Sequence, residues 1–217
     1  MKFSNRSIRW FKSVVFSASL VPVFMLAWRA AHRHLGANPV EELTHVTGDW
    51  TLRFIVITLL ISPFRRLAGI AELIRFRRMV GLFGFFYGSL HLLIYLCLDK
   101  FFDWHDIWQD IGKRRFITMG LFALLLMVPL ALTSTSGSIR RLGGRRWQLL
   151  HRLVYVTAAA GVVHYYWLVK SDIRLPTLYG MIVTILLVYR IPVLRRSRPT
   201  LPAYGRNRIG LTPRQQE

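Results

Sequence analysis

Long apolar runs alternate with short, charged segments along the whole chain. Stretches free of Asp, Glu, Lys and Arg cover Ser13–Trp28, Phe54–Phe64, Met79–Leu98, Phe116–Ile139, Leu153–Val169 and Leu175–Tyr189. A helix needs about 20 apolar residues to cross a hydrocarbon core. The third and fourth stretches meet that length alone, and the others meet it when a flanking residue snorkels. The pattern predicts an all-α, polytopic membrane bundle of six transmembrane helices. It is expected to occupy residues 8–195 as one membrane domain. Residues 196–217, with Pro199, Pro202, Pro213, Gly205 and Gly210, read as a basic cytoplasmic tail drawn to anionic membrane lipid.

Composition sharpens this picture. Of 217 residues 53% are hydrophobic, yet the formal net charge is +20. The basic residues divide between alternate hydrophilic segments. The N-terminal segment, 64–78, 134–152 and the tail from Arg190 hold 21 Lys and Arg with 2 acids, a net of +19. Segments 29–53, 99–115 and 170–174 hold 9 with 8 acids, a net of +1. Lys- and Arg-rich short loops stay cytoplasmic, so both termini are expected in the cytoplasm of a bacterial inner-membrane protein. The charge is then topological, and no nucleic-acid partner is expected. Lys2, Arg6, Arg9 and Lys12 lead into the first run as in a signal peptide, but no small-x-small cleavage pattern follows. The segment reads as a retained helix.

Several chemistries are excluded. The single cysteine, Cys97, leaves no disulfide framework, Cys-ligated zinc or iron–sulfur cluster within one chain. No Gly-x-Gly-x-x-Gly or Walker loop is present, so the chain carries no nucleotide-binding fold of its own. His-Glu-x-x-His is absent, and no Ser/Lys or paired-Asp arrangement lies within a span, which argues against a hydrolase.

The deep ionisable residues are nearly all histidine, and such residues inside a span are usually functional. His91 and His164 lie in the third and fifth runs, each about 18–20 Å of helix rise from its cytoplasmic start. They are therefore expected at matched depth in the outer half of the bilayer, whereas His151 sits at the cytoplasmic start of the fifth. Gly81, Gly84, Gly88 and His91 share one stripe; Thr157, Gly161 and His164 share another. Small residues beside a histidine serve close helix packing or make room for a flat macrocycle whose iron the histidine ligates. Two stripes that each end in a histidine favour the macrocycle. His32, His34, His45 and His105 read as loop or interfacial residues, and the Trp and Tyr residues near span ends as an aromatic belt.

Particular segments carry a family likeness. They are Thr47-Gly48-Asp49-Trp50, Ile61-Ser62-Pro63-Phe64-Arg65-Arg66, Gly81-Leu82-Phe83-Gly84-Phe85-Phe86-Tyr87 with Leu90-His91, and Leu132-Thr133-Ser134. To these add Trp147-Gln148-Leu149-Leu150-His151-Arg152-Leu153-Val154-Tyr155 and His164-Tyr165. Over about residues 8–195 the chain resembles the MsrQ (YedZ) family, the haem-binding membrane subunits of bacterial protein-methionine-sulfoxide reductase systems. These belong to the wider ferric reductase and NADPH-oxidase-like transmembrane family. The resemblance implies b-type haem between the third and fifth spans, with His91, His151 and His164 matching the haem-associated, metal-ligating histidines. Relatives with two stacked haems carry two histidines on each helix. Arg78 stands thirteen before His91, so a second pair is incomplete here.

The resemblance also implies a task. Electrons would come from the quinone pool or a cytosolic flavin reductase. They would pass to a periplasmic molybdenum-cofactor methionine-sulfoxide reductase subunit (MsrP) that repairs oxidised methionine. The chain itself would be a non-catalytic electron-transfer subunit. FMN is implied by the resemblance alone; basic residues such as Arg77, Arg78, Arg145 and Arg146 offer a flavin phosphate or haem propionate a partner, or serve topology only. Two neutral imidazoles would give six-coordinate iron suited to electron transfer. Each ring nitrogen opposite the iron would need a partner, a backbone carbonyl or a hydroxyl such as Thr157 or Ser89. Two alternatives stand beside this: a small membrane transporter, against which no deep acid is found, and a structural membrane subunit without a redox role.

Overall fold

The computed structural model describes residues 4–196, with the backbone alone for Asn5 and residues 192–196. All regular structure among them is helical. α1 spans Asn5–Ala31, α2 Pro39–Ala68 and α3 Ile74–Ile94, the last extended by one wide turn over Tyr95–Asp99. A short α4 (Trp104–Lys113) precedes α5 (Arg115–Leu132). Two brief helices, α6 (Ser136–Leu142) and α7 (Gly144–Leu150), lead to α8 (Leu153–Leu168) and α9 (Arg174–Arg196). The expected tail, apart from Arg196, lies outside the described residues.

Local chemistry marks the boundaries. Asn38 accepts the Glu41 N–H, with Pro39 in the first turn of α2 and Glu41 and Glu42 near its positive end. Gly69 closes α2 at φ 68°, the left-handed region glycine enters at no steric cost. The expected single run Phe116–Ile139 is divided. α5 stops at Leu132, three residues past Pro129, and Thr135 caps the separate α6 through the Ser138 N–H.

Each apolar run lies within one long helix or, for the fourth, begins one. Four segments, Arg6–Ala31, Ala71–Asp99, Arg115–Leu132 and Arg174–Ile191, are long and apolar enough to cross a membrane by length and composition. α2 is long but carries Glu41, Glu42, Asp49 and Arg53 in its first half, and α8 has only 16 residues. The outward faces remain apolar, with Phe24, Met25, Leu125, Ile185 and Val188 all exposed. A continuous surface of that kind suits lipid rather than water.

α2 packs most closely on α3, and α5 on α8, with α9 laid along α8 and α2. One core joins Ile55, Leu59, Met127, Ala158, Val183 and Leu186 from α2, α5, α8 and α9. Another joins Phe54, Val80, Phe83 and Tyr87 between α2 and α3. Most of the glycine stripe on α3 serves this packing. A β-carbon at Gly81 would meet Thr58, and one at Gly84 would meet Phe54 and Ile55, all on α2. Only Gly88, nearer His91, borders a cavity. Tyr87 ties α1 to this pair. Its hydroxyl donates to Ser19 O at 2.8 Å and accepts the Val23 N–H at 3.2 Å, entering the α1 ladder beside Pro22.

Candidate functional site

α2, α3, α5 and α8 enclose a cavity of about 650 Å³, and α4 roofs it. Its walls are apolar, with Leu52, Ile55, Leu92, Leu121, Leu124 and Met127. Its mouth is polar, with Glu41, His45, Asp49, Asp99 and Arg114. That combination, and that volume, suit a mostly apolar ligand held by a few polar groups. His91 enters from α3 and His164 from α8.

The two imidazoles lie together, as their matched depth predicts, with ring centroids 6.1 Å apart and planes at 85°. Each is fixed from behind by the backbone of a neighbouring helix. His91 Nδ1 pairs with Thr44 O at 2.9 Å, and His164 Nδ1 with Phe116 O at 2.6 Å. A carbonyl only accepts, so each Nδ1 carries the proton and each Nε2 is left as a free lone pair. The hydroxyl alternatives do not serve. Thr157 Oγ1 donates to Leu153 O on its own helix at 3.1 Å, and Ser89 takes no part in either bond.

Two glycines make this approach possible. A β-carbon at Gly48 on α2 would lie 3.2 Å from Cε1 and Nδ1 of His91. One at Gly120 on α5 would lie 2.7 Å from His164 Nδ1. Sequence reasoning missed both glycines and the roof helix; it offered a backbone carbonyl as one partner for each ring without saying which. The sequence signal for Gly120 is a lone glycine inside a run of bulky apolar residues; the carbonyls leave no signal, since any residue supplies one.

The fit to a ligated metal can be tested on these distances. With a metal–imidazole bond of about 2.0 Å and about 1.1 Å from ring nitrogen to centroid, two trans imidazoles sit about 6 Å apart. The observed spacing is of that size. No group of three His, Cys, Asp or Glu forms a metal site among the described residues. His91 Nε2 and His164 Nε2 are the nitrogens that would hold a metal here, and a bound group would have to supply the other ligands itself. A planar macrocycle does that.

His151 is elsewhere. It caps α7, stacks on Trp147 with centroids 3.8 Å apart, and bonds Trp147 O at 3.1 Å through Nδ1. Its Nε2 is 3.5 Å from Ser134 Oγ. Burial pulls its imidazole below the ordinary value of 6.5, and the charge of Arg77 adds to this against the Trp147 bond. The other histidines lie outside this ring pair. His32 and His34 are exposed and stack near Trp28, His105 meets Gln109, and His45 borders the mouth 3.8 Å from Glu41.

The roof is held by one buried acid. Asp110 of α4 accepts from Tyr95 at 3.0 Å, and pairs with Lys100 at 2.8 Å and Arg114 at 3.1 Å. Burial raises the Asp110 carboxyl, but the Lys100 and Tyr95 hydrogen bonds and the Arg114 charge outweigh it and hold it below the ordinary 3.8. Hydrogen bonds from Lys100 to Asp106 and Asp110 push that ammonium group up. Trp104, Ile107, Trp108 and Ile111 of the same helix border the cavity.

Comparison with known proteins bears on the same residues. A family model described as ferric reductase like transmembrane component matches residues 47–162. That span includes His91 and His151 and ends two residues before His164. The chain is similar to the protein-methionine-sulfoxide reductase heme-binding subunit MsrQ of Herminiimonas arsenicoxydans, with 51% identity covering 83% of this chain and 84% of that one. The protein of the same name from Rhodospirillum rubrum is 51% identical, covering 85% and 89%. That from Caulobacter vibrioides is 46% identical, covering 85% and 88%.

Proposed function

Since this chain belongs to the MsrQ family of haem-binding membrane subunits, within the ferric reductase-like transmembrane family, we propose that it carries electrons across the bacterial inner membrane through b-type haem held by His91 and His164. The observation that carries this reading is the imidazole pair, 6.1 Å apart inside an apolar cavity, each with Nδ1 tied to a neighbouring helix. Haem bound there would be held by His91 and His164 and would supply a one-electron couple.

The chain's own residues do the rest. Thr44 O and Phe116 O hold the Nδ1 protons, fix each tautomer and orient each ring toward the cavity. Leu52, Leu121 and Met127 keep the surroundings dry, which sets the potential together with the ligands. α4 shields the mouth from water on the outer side.

Six spans with both termini in the cytoplasm put the pair in the outer half of the bilayer, near a periplasmic acceptor. The names of the relatives point to a methionine-sulfoxide reductase, and the acceptor we propose is its molybdenum-cofactor subunit, MsrP. The donor is the quinone pool or a cytosolic flavin reductase, entering on the side of His151, which has a role separate from the axial pair. FMN rests on family likeness and is given no residue here. The purified protein tests the reading by its absorption spectrum. Wild type should show a six-coordinate, bis-histidine haem that responds to dithionite, and His91→Ala and His164→Ala should each lose most of it. A colourless wild type, or full haem in both variants, refutes it.

A further inference from the structure

The ion pairs made by Arg29, His45, Arg53, Lys100 and Arg114 lie at the end of the bundle that carries the cavity mouth, between residues 29–53 or 100–114. At the opposite end, where α1 begins and α9 ends, Arg77 and Arg190 are drawn into the bundle, and the hydrogen-bond partners described for them are hydroxyls and a carbonyl. Arg190 of α9 is only 6% exposed. It donates to Tyr155 of α8 at 2.8 Å and to Leu59 O of α2, and its guanidinium stands over the Tyr155 ring. Arg77 of α3 donates to Ser62 of α2 at 3.4 Å, one turn along α2 from Leu59, and lies near enough to Tyr155 and Arg190 to interact with both. Arg65 lies one turn beyond Ser62 on α2, so the two share a face.

Two buried side-chain nitrogens among the described residues have no hydrogen-bond partner, and they are Arg65 Nε and Arg190 Nε. Both belong to this end. A guanidinium withdrawn from water with an orphan N–H and no counter-charge is strongly unfavourable. Arginine forks match phosphate oxygens in geometry as well as in charge. We propose that the C-terminal ends of α2 and α9 and the N-terminal ends of α3 and α8 form a binding site for a phosphate group, held by Arg77 and Arg190 with Tyr155 between them. The site goes beyond the haem reading, because Arg77 is about 21 Å along α3 from His91. Its phosphate comes from an acidic phospholipid headgroup or from a soluble phosphate compound.

The full chain, purified in detergent, tests this with two probes: inorganic phosphate against chloride at equal ionic strength, and phosphatidylglycerol vesicles against phosphatidylcholine vesicles. Arg77 is half-buried, and its modification by phenylglyoxal is followed by peptide mass spectrometry. At least one probe should slow modification of Arg77 about tenfold or more while leaving the exposed Arg141 unchanged. Protection by phosphate identifies a soluble compound, and protection by phosphatidylglycerol alone identifies a lipid. Arg77→Gln should weaken that probe's binding about tenfold, the loss of one hydrogen bond to a charged group, while Arg141→Gln should not. Protection by neither probe, equal protection of Arg141, or unchanged binding by Arg77→Gln overturns the proposal. Haem content is read in the same samples. Its loss alone would count against the axial pair and not against this site.

Discussion

Gly120→Ala puts a single methyl against the best-fixed imidazole in the molecule. The added carbon would sit 2.7 Å from His164 Nδ1 and 2.8 Å from Cε1, where ordinary contact begins near 3.4 Å. The ring must therefore retreat about 0.7 Å. It has little freedom to do so, because its Nδ1 is bound to Phe116 O at 2.6 Å, one turn before Gly120 on the same helix. A retreat of that size stretches the bond past the usual limit of about 3.2 Å. The lost hydrogen bond costs about 0.5–1.5 kcal/mol, and the overpacking about 1–3 kcal/mol. Alanine's better helix propensity returns up to about 1 kcal/mol. A net loss of about 0.5–4.5 kcal/mol, borne by the proposed haem ligand His164, is expected to lower haem content and shift the spectrum. Two other glycines calibrate the effect. Gly48→Ala brings a methyl to 3.2 Å from the His91 ring, a few tenths of an ångström too close, and should be milder. Gly84→Ala finds its neighbours at 3.5–3.6 Å and should retain wild-type haem. Haem-to-protein ratios and reduced-minus-oxidised spectra of the three purified variants give the order. Wild-type haem and spectrum in Gly120→Ala, or equal loss in Gly84→Ala, would show that the glycines do not act through the imidazoles.

Three further outcomes are expected. His151→Ala should keep the bis-histidine spectrum, since its ring stacks on Trp147 outside the cavity, while reduction from the cytoplasmic side slows; stripping of all haem would reverse the assignment. Reporter fusions after Lys100 and after Arg141 should report opposite compartments, and two cytoplasmic readings would undo the charge-derived topology. Asp110→Asn should loosen α4, raising its amide exchange about 10–150-fold for the loss of hydrogen bonds worth about 1.5–3 kcal/mol. Because the folded carboxyl is held below 3.8, its contribution is present above that value and is lost as pH falls through the lower folded one. Exchange in wild-type α4 that is flat through that acid range would contradict the role of Asp110.

The run of apolar residues was enough to make this a helical membrane protein, because a bilayer admits few other solutions to backbone hydrogen bonding. Run lengths were less reliable guides to helix ends. The boundary at Leu132 depends on Pro129 and the Thr135 cap, both chemically plain yet hidden inside an apolar stretch. The histidines His91 and His164 were legible from depth alone, since helix rise converts residue number directly into distance. Their meeting at 6.1 Å is consistent with that arithmetic. What holds them was not legible. Thr44 O, Phe116 O, Gly48 and Gly120 come from helices remote in sequence, and a carbonyl carries no side-chain signature. The same limit applies to Arg190, one of many basic residues in the chain. Periodicity and run length determined the class of protein and the matched heights of His91 and His164 along their helices. Only the packing of α2 on α3 and α5 on α8 decided which carbonyl each imidazole faces and which arginines are shut away from water, because both depend on helix rotation, which is settled by contacts between distant segments.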